Sequence, residues 1–142
     1  MNKLLALTLC GLILFGPALV SVADISDARD KSYIIALSSK RRGYQVADVD
    51  INGHLFAGEY YNFQIDVVKG VDYAFLVGGD IFATDIDLYI FDEEGNEWQH
   101  DITGREDAGI EKRASYTGRL DVYIHMAGAN KLASFSVLIG YR

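Results

Sequence analysis

The chain has 142 residues, of which 20 are acidic and 13 are Lys or Arg, so its formal net charge is −7 at neutral pH. This charge argues against nucleic acids and anionic membranes as partners, because both attract basic surfaces. Cys10 is the single cysteine and lies in the apolar N-terminal segment. The rest of the chain therefore forms no disulfide, and its stability must come from an apolar core.

The N-terminal segment is typical of a cleaved secretory signal. Lys3 precedes an uncharged run over residues 4–15, Gly16-Pro17 breaks that run, and Ser21-Val22-Ala23 supplies small residues where a signal peptidase reads them. The run is shorter than the about 20 residues that a membrane-spanning helix needs. We therefore predict a signal peptide over residues 1–23 and an exported protein, periplasmic or extracellular. Removal of 23 of the 142 residues leaves 119, the size of one domain.

Residues 24–43 are predicted to form a short N-terminal helix or arm. Acidic residues lie near its start and basic residues near its end, which suits the helix dipole: these are Asp24, Asp27 and Asp30, then Lys40, Arg41 and Arg42. Ser26 is the predicted N-cap and Gly43 the predicted C-cap. The run 33–35 (Tyr-Ile-Ile) is also compatible with a short strand, and this alternative stays open.

Residues 44–142 are predicted to form an all-β domain, an antiparallel, jelly-roll-like β-sandwich of about eight strands. Apolar and polar residues alternate with a period of two over residues 45–51, 60–68, 71–77, 85–91, 97–101, 110–116, 119–126 and 132–141. Turn residues separate these runs at Asn52-Gly53, Lys69-Gly70, Glu94-Gly95-Asn96 and Thr117-Gly118. Short strands at such regular spacing favour a sandwich over an α/β fold.

The order of these motifs resembles a known bacterial family. Tyr61-x-Phe63, Lys69-Gly70, an aromatic strand and Asp85-x-Asp87-Leu-Tyr89 resemble the pre-peptidase C-terminal domain, a β-sandwich found beside secreted proteases and sometimes standing alone. The resemblance covers residues 60–141 and departs at Leu120, where the family commonly has an aromatic residue. A comparable order makes the chain similar to the periplasmic inhibitors of goose-type lysozyme, which are also short exported sandwiches.

The carboxylates of Asp80, Asp85 and Asp87 are candidate ligands for calcium. They bracket the loop over residues 81–84, and calcium takes about six to eight oxygen ligands without strict geometry. Among proteins with the resembled domain, the collagen-binding modules of clostridial collagenases bind calcium, although part of their ligand set lies in a linker with no match here. The alternative is that Asp85 ends a turn and accepts hydrogen bonds from loop amides.

The segment from Asp80 to Asp107 is strongly acidic and carries aromatic residues, with ten acids and one base. If the aliphatic residues of the strand over 85–91 face the core, then Tyr89 and Phe91 point outward, and Trp98 is expected to join them. With Asp92, Glu93 and Glu94 these residues form a candidate edge for binding a sugar or a basic peptide. Alternatively, the N-terminal helix packs Ile35 and Leu37 over these rings and covers them.

No catalytic motif is found in the sequence. It contains no Gly-x-Ser-x-Gly elbow, no His-Glu-x-x-His and no phosphate-cradling glycine loop, and its three histidines lie far apart. We therefore expect no enzymatic activity. The first hypothesis is a secreted or periplasmic binding module that contacts a protein or glycan, with or without calcium. The second is a periplasmic inhibitor of a cationic enzyme such as lysozyme, since opposite charge accelerates association.

Overall fold

The computed structural model describes residues 22–142, which contain one helix and eight strands. The elements are α1 (Ile25–Arg41), β1 (Gln45–Leu55), β2 (Tyr60–Val67), β3 (Asp72–Gly79), β4 (Ala83–Asp92), β5 (Glu97–Asp101), β6 (Asp107–Arg113), β7 (Gly118–Ala129) and β8 (Ala133–Tyr141). The predicted signal peptide lies outside these residues except for its last two positions. Within the described part of the chain, α1 is neither long nor apolar enough to span a membrane.

The strands form two four-stranded antiparallel sheets that pack face to face. One sheet has the order β1-β8-β3-β6 and is called here the helix-covered sheet, and the other has the order β2-β7-β4-β5 and is called the open sheet. The first strand pairs with the last, the second with the seventh, the third with the sixth and the fourth with the fifth. This nested pairing is that of a jelly roll. The predicted all-β sandwich with one N-terminal helix is confirmed.

The main core lies between the two sheets. Alternate residues of β7 point into it and are fully buried, namely Leu120, Val122, Ile124 and Met126. They meet inward-facing residues of β4, β3 and β8, among which Phe75 and Phe135 are the largest fully buried side chains. The alternation of apolar and polar residues over 119–126 predicts these four residues as the inward-facing set, and it places Arg119, Asp121, Tyr123 and His125 on the outward face, as observed.

A second, smaller core lies between α1 and the outer face of the helix-covered sheet. It joins Ala36 and Tyr44 to Ala74, Leu76 and Leu138. For this reason β3 and β8 are buried on both faces almost throughout, whereas β7 keeps an alternating pattern and β4 does so over residues 88–91. The helix therefore packs against the outer face of the helix-covered sheet and not against the open sheet.

Small residues let the helix approach that sheet closely. The buried positions of α1 are Ala28, Ser32, Ala36 and Ser39, which recur every three or four residues and so share one face. A Cβ added to Gly78 of β3 would lie 2.4 Å from the backbone nitrogen of Ser32 and 2.6 Å from the carbonyl oxygen of Ala28. The helix backbone thus rests almost directly on the strand, and only glycine fits at position 78.

Neither of the predicted cap residues of α1 is the cap in the structure. Asp24, and not Ser26, is the N-cap: its carboxylate accepts a hydrogen bond from the amide nitrogen of Ser26 at 2.7 Å. Arg42, and not Gly43, is the C-cap, and Gly43 follows it with a positive φ of 92° and donates to the carbonyl oxygen of Lys40, which is the position after the cap that favours glycine. The strand alternative for residues 33–35 is wrong, because that run lies inside the helix.

Two of the four predicted turns are confirmed and two are displaced. Gly70 and Gly95 have positive φ in tight turns, as expected. Gly53 instead lies inside β1, where the Phe135 ring packs against it, and the chain reverses later at Gly58, which has a φ of 89°. Gly118 is the first residue of β7 and does not form the predicted turn. The sequence alone does not distinguish a glycine that makes a turn from a glycine within a strand that leaves room for a neighbouring ring.

Glu111 of β6 fastens the end of the helix to the sheet. Its carboxylate accepts a hydrogen bond from the Ser39 hydroxyl at 2.6 Å and two from the Arg42 guanidinium. Burial raises the pKa of Glu111, but the hydrogen bonds from Arg42 and Ser39 outweigh this effect and hold the pKa below its ordinary value. The charged form is therefore the one that stabilises the fold.

Gly78→Ala is expected to destabilise the protein by about 1–3 kcal/mol, because the added methyl group forces the helix away from β3. Gly109→Ala is the matched control. Position 109 lies on the neighbouring strand β6, and its added Cβ would meet nothing nearer than 3.5 Å. Urea unfolding of the two variants checks the prediction, and equal losses of unfolding free energy would contradict the close helix contact.

Glu111→Gln is expected to lower the unfolding free energy by about 0.5–1 kcal/mol at neutral pH, since a charge-assisted contact becomes neutral at a partly exposed site. A lowered pKa means that the stabilisation is complete above the unfolded pKa of about 4.3 and is lost as the pH falls through the folded pKa. The difference between the two proteins should thus be constant between about pH 6 and 8 and shrink as the pH falls through the lowered pKa of folded Glu111. A difference that persists at the lowest pH would contradict this role.

Candidate functional site

The outer face of the open sheet carries aromatic and titratable side chains in neighbouring rows. One row runs across three strands through Tyr60, His125 and Asp87. The next places Tyr123 beside Tyr89, with Asn62 and His100 on its flanks. In β2, β4 and β7 these residues alternate with residues that face the core, so they point away from it. His100 of β5 lies opposite Tyr89 and is on the same face.

A third row completes the face with two carboxylates. It places Asp121 beside Phe91, with Gln64 and Glu97 on the flanking strands. The Gln64 amide donates to Asp121 at 2.7 Å, and the His100 ring lies 2.7 Å from the Glu97 carboxylate. The three rows therefore place three carboxylates around a group of aromatic rings, those of Asp87, Asp121 and Glu97.

Four of these rings line a shallow cleft of about 250 Å³, here called the aromatic cleft, formed by Tyr60, Tyr89, Phe91 and Tyr123. Phe91 and Tyr123 meet edge to face, with ring centroids 5.7 Å apart and planes inclined by 83°. The cleft thus presents ring surfaces in two nearly perpendicular directions. None of the four residues that line it carries a positive charge.

His125 and Asp87 form the polar end of the aromatic cleft. Nδ1 of His125 lies 3.1 Å from the Asp87 carboxylate, and the imidazole ring stacks on Tyr60 with centroids 4.1 Å apart and planes only 7° from parallel. The Tyr89 hydroxyl donates to the same carboxylate at 3.3 Å. Burial and the neighbouring Asp87 charge raise the pKa of Tyr89, so its phenol stays protonated as a donor.

The expectation that the helix covers these rings is wrong. Helix α1 packs on β3, β8, β1 and β6, which are the four strands of the helix-covered sheet. Ile35 contacts the small core on that side, and Leu37 is 51% exposed to solvent. The aromatic cleft is on the opposite face of the sandwich and is open to solvent.

The expectation that Trp98 joins the outward aromatic residues is also wrong. Trp98 is buried in the main core, where its ring meets Phe75 edge to face and Lys112 lies over it at 4.9 Å. A register shift between Ile90 and Phe91 in the β4–β5 pair changes which residues of β5 face outward. Trp98 thus stabilises the core and is not available to a partner.

The acidic run Asp92-Glu93-Glu94 lies at the β4–β5 turn and not in the aromatic cleft. The Asp92 carboxylate accepts hydrogen bonds from the amides of Glu94 and Asn96 and so shapes the turn. Glu93 accepts from the amide of Arg119, while Glu94 is exposed. Together with Tyr116 and Thr117, the three acids line a separate shallow depression.

The candidate calcium ligands have separate hydrogen-bonding roles. Asp80 accepts hydrogen bonds from the amides of Phe82 and Asp24, Asp87 binds His125 and Tyr89, and one buried oxygen of Asp85 has no hydrogen-bond partner among the described residues. Over residues 22–142 no three His, Cys, Asp or Glu side chains are arranged to hold a metal ion. The calcium site stays a prediction, and this geometry gives it no convergent ligand set.

Comparison with known proteins gives a family for this fold. The family model described as "Domain of unknown function (DUF8695)" matches residues 51–138, from the middle of β1 into β8. This chain belongs to that family. No curated protein matches the sequence. The resemblance to the pre-peptidase C-terminal domain is not confirmed by the family match.

Two solved structures are similar to parts of this chain. The crystal structure of Aeromonas hydrophila PliG, a periplasmic lysozyme inhibitor of g-type lysozyme, has a TM-score of 0.51 and 8% identity, and the match covers 71% of this chain and 90% of that one. CBM86, a low-affinity xylan binding module from Roseburia intestinalis, has a TM-score of 0.41 and 12% identity, covering 70% and 83% of the two chains. At 8% identity, the likeness to the inhibitor is one of fold.

Sequence reasoning missed three residues of the site: Tyr60, Tyr123 and His125. The alternation in β7 does place Tyr123 and His125 on its outward face, so this part of the signal was present. Their contact with Tyr60 and Asp87 depends on β7 lying between β2 and β4. That neighbour relation joins strands far apart in sequence and carries no local pattern.

From the separate roles of Asp80, Asp85 and Asp87, we expect millimolar calcium to leave the melting temperature unchanged, because a ligand stabilises only if it binds the folded state. Thermal unfolding with calcium and with a chelator checks this expectation. A rise in melting temperature that Asp85→Asn abolishes would instead establish the calcium site.

Proposed function

We propose that this protein is an exported, non-catalytic binding module whose aromatic cleft holds a basic side chain of a protein partner. The proposal includes a leader over residues 1–23 that is removed, a helix over 24–43 and a sandwich over 44–142. The observation that carries it is the uncovered cleft of four aromatic rings on a face that also carries the carboxylates of Asp87, Asp121 and Glu97. Open aromatic surface of this kind on a folded domain usually serves binding.

The arrangement of the rings favours a cation as the bound group. The electron-rich faces of aromatic rings attract Lys or Arg by about 0.5–2 kcal/mol, and two inclined faces reach one cation from two sides. Asp87 and Asp121 add negative charge at the two ends of the aromatic cleft. Arg119, the basic residue nearest along β7, lies 3.4 Å from the Asp66 carboxylate and is turned toward it.

A flat platform for a sugar would need coplanar rings, whereas Phe91 and Tyr123 are inclined by 83°. This inclination makes a glycan the less favoured occupant. Aromatic rings beside carboxylates bind sugars in other settings, so glycan binding is one outcome that the experiment below must distinguish.

The His125–Asp87 pair supports binding more than catalysis. A histidine held by a carboxylate activates a nucleophile only when a hydroxyl or thiol lies next to it. In the described residues, the hydrogen bonds of this pair add only the Tyr89 hydroxyl, whose raised pKa makes it a poor nucleophile at neutral pH. The pair instead holds the Tyr60 and Tyr89 rings that border the aromatic cleft.

Inhibition of a cationic enzyme such as lysozyme is the second candidate function. The observation that favours it is the excess of ten acids over one base between Asp80 and Asp107, which attracts a basic enzyme over long range. The fold likeness to a periplasmic lysozyme inhibitor is consistent with this candidate. Both candidates share the same partner chemistry, a protein with a basic surface.

The test measures affinity for defined basic and neutral probes by calorimetry. The probes are an arginine-rich peptide, lysozymes of the chicken, goose and invertebrate types, and oligosaccharides of xylan and peptidoglycan. We expect the peptide or a lysozyme to bind with an affinity that falls as salt rises, because screening weakens charge attraction. Tyr123→Ala should weaken that binding about tenfold or more, equivalent to about 1.4 kcal/mol.

Phe56→Ala is the matched control, since Phe56 is an exposed aromatic residue outside the aromatic cleft, in the β1–β2 turn. It should bind as the unchanged protein does. If an oligosaccharide binds with an affinity that does not depend on salt, and Tyr123→Ala abolishes this binding, the ligand of the aromatic cleft is a glycan and not a basic protein. If no probe binds, or if Tyr123→Ala binds as well as the control, the aromatic cleft is not the site. No inhibition of any lysozyme type at micromolar protein would remove the second candidate.

A further inference from the structure

The carboxylate of Asp80 is buried without a cationic partner. Asp80 lies between β3 and β4 and is 2% exposed. One carboxylate oxygen accepts a hydrogen bond from the amide of Phe82 at 2.9 Å, and the Asp80 backbone is held by the carbonyl oxygen of Ser134 and the amide of Ala83. None of the ion pairs formed between described residues includes Asp80. Buried aspartates are almost always paired with a cation, because removing a lone charge from water is costly.

The second carboxylate oxygen of Asp80 accepts a hydrogen bond from the backbone nitrogen of Asp24 at 3.0 Å. These two residues are 56 positions apart, so the contact is made by the fold and not by a local turn. Asp24 is also the residue that follows the predicted cleavage point after Ala23. The nitrogen that cleavage would release is therefore the atom that already faces the buried carboxylate.

We propose that Asp80 is a binding site for the α-ammonium group of the processed chain. Signal peptidase hydrolyses the Ala23–Asp24 peptide bond with one water molecule: the water oxygen goes to the Ala23 carbonyl carbon, which becomes a carboxylate, and the Asp24 nitrogen becomes a protonated amine. The neutral N–H donor at 3.0 Å is thereby replaced by a cationic donor at the same place. Processing supplies the missing counter-charge of Asp80.

The surroundings of Asp24 are compatible with this exchange. Its side chain caps helix α1 through the amide of Ser26, so the position of Asp24 does not depend on the residues before it in the chain. Val22 is 74% exposed and contributes little to packing. Ala23 packs against the edge of the main core. Cleavage removes this small contact, so the new ion pair must stabilise the fold by more than the lost contact did. The precursor holds Asp80 through neutral amides alone, so the mature protein is expected to be the more stable form.

The experiment first determines the N-terminus of the exported protein by mass spectrometry after expression of the full chain. It then compares chains released from a fusion partner that begin at Asp24 or at Ala23, since every helix and strand within residues 22–142 lies C-terminal to Asp24. The chain beginning at Asp24 should melt on the order of 4 °C above the same chain acetylated on its α-amine. It should also melt above the chain beginning at Ala23.

Asp80→Asn is the matched variant, because asparagine keeps one acceptor oxygen for the Phe82 amide and replaces the oxygen that faces the Asp24 nitrogen with a neutral NH2 group. In this variant acetylation should leave the melting temperature unchanged. In the unmodified mature protein, the α-amine should titrate above its usual pKa of about 7.7–8.0, and Asp80→Asn should return it to that range. An exported protein that begins elsewhere, or an acetylation effect that is absent or persists in Asp80→Asn, would overturn the proposal. None of these readouts depends on the partner of the aromatic cleft.

Discussion

Close packing of helix α1 on one sheet determines which surface of this protein is available. A jelly roll has two outer faces, and each must either be polar or be covered. Here the small residues of α1 pack on Gly78 and its neighbours in β3, and the helix buries the outer face of the helix-covered sheet. Since the chain has a single helix over the described residues, the outer face of the open sheet stays exposed with its aromatic rings.

Much of the fold could be predicted from the sequence, because a period of two is a local property. The alternation in β7 identified both its buried and its exposed residues, and the charge pattern of residues 24–42 indicated a helix. The sheet that receives the helix could not be predicted, because strand order depends on contacts distant in sequence. One clue was present: β3 and β8 carry small or apolar residues on both faces, as strands covered on both sides do.

The position of Trp98 shows a second limit of the alternating pattern. At the register shift, β5 has one extra residue opposite Ile90 and Phe91. One such residue is enough to turn the side chains on its far side in β5 to the opposite face of the sheet. The count of acidic residues has a similar limit, because several carboxylates already serve the fold: Asp92 shapes a turn, and Glu111 fastens the helix. Asp87 and Asp121 border the aromatic rings, and neither was recognisable as distinct from the others in the sequence.

The placement of the helix is the premise of the whole functional account, and nuclear Overhauser contacts measure it directly. The Ala36 methyl group packs with Leu76 and Leu138 in the small core, so cross-peaks between these methyl groups are predicted. The ring protons of Tyr89 and Phe91 should show no cross-peak to any helix residue. Cross-peaks from Ile35 or Leu37 to those rings would place the helix over the aromatic cleft and contradict the account.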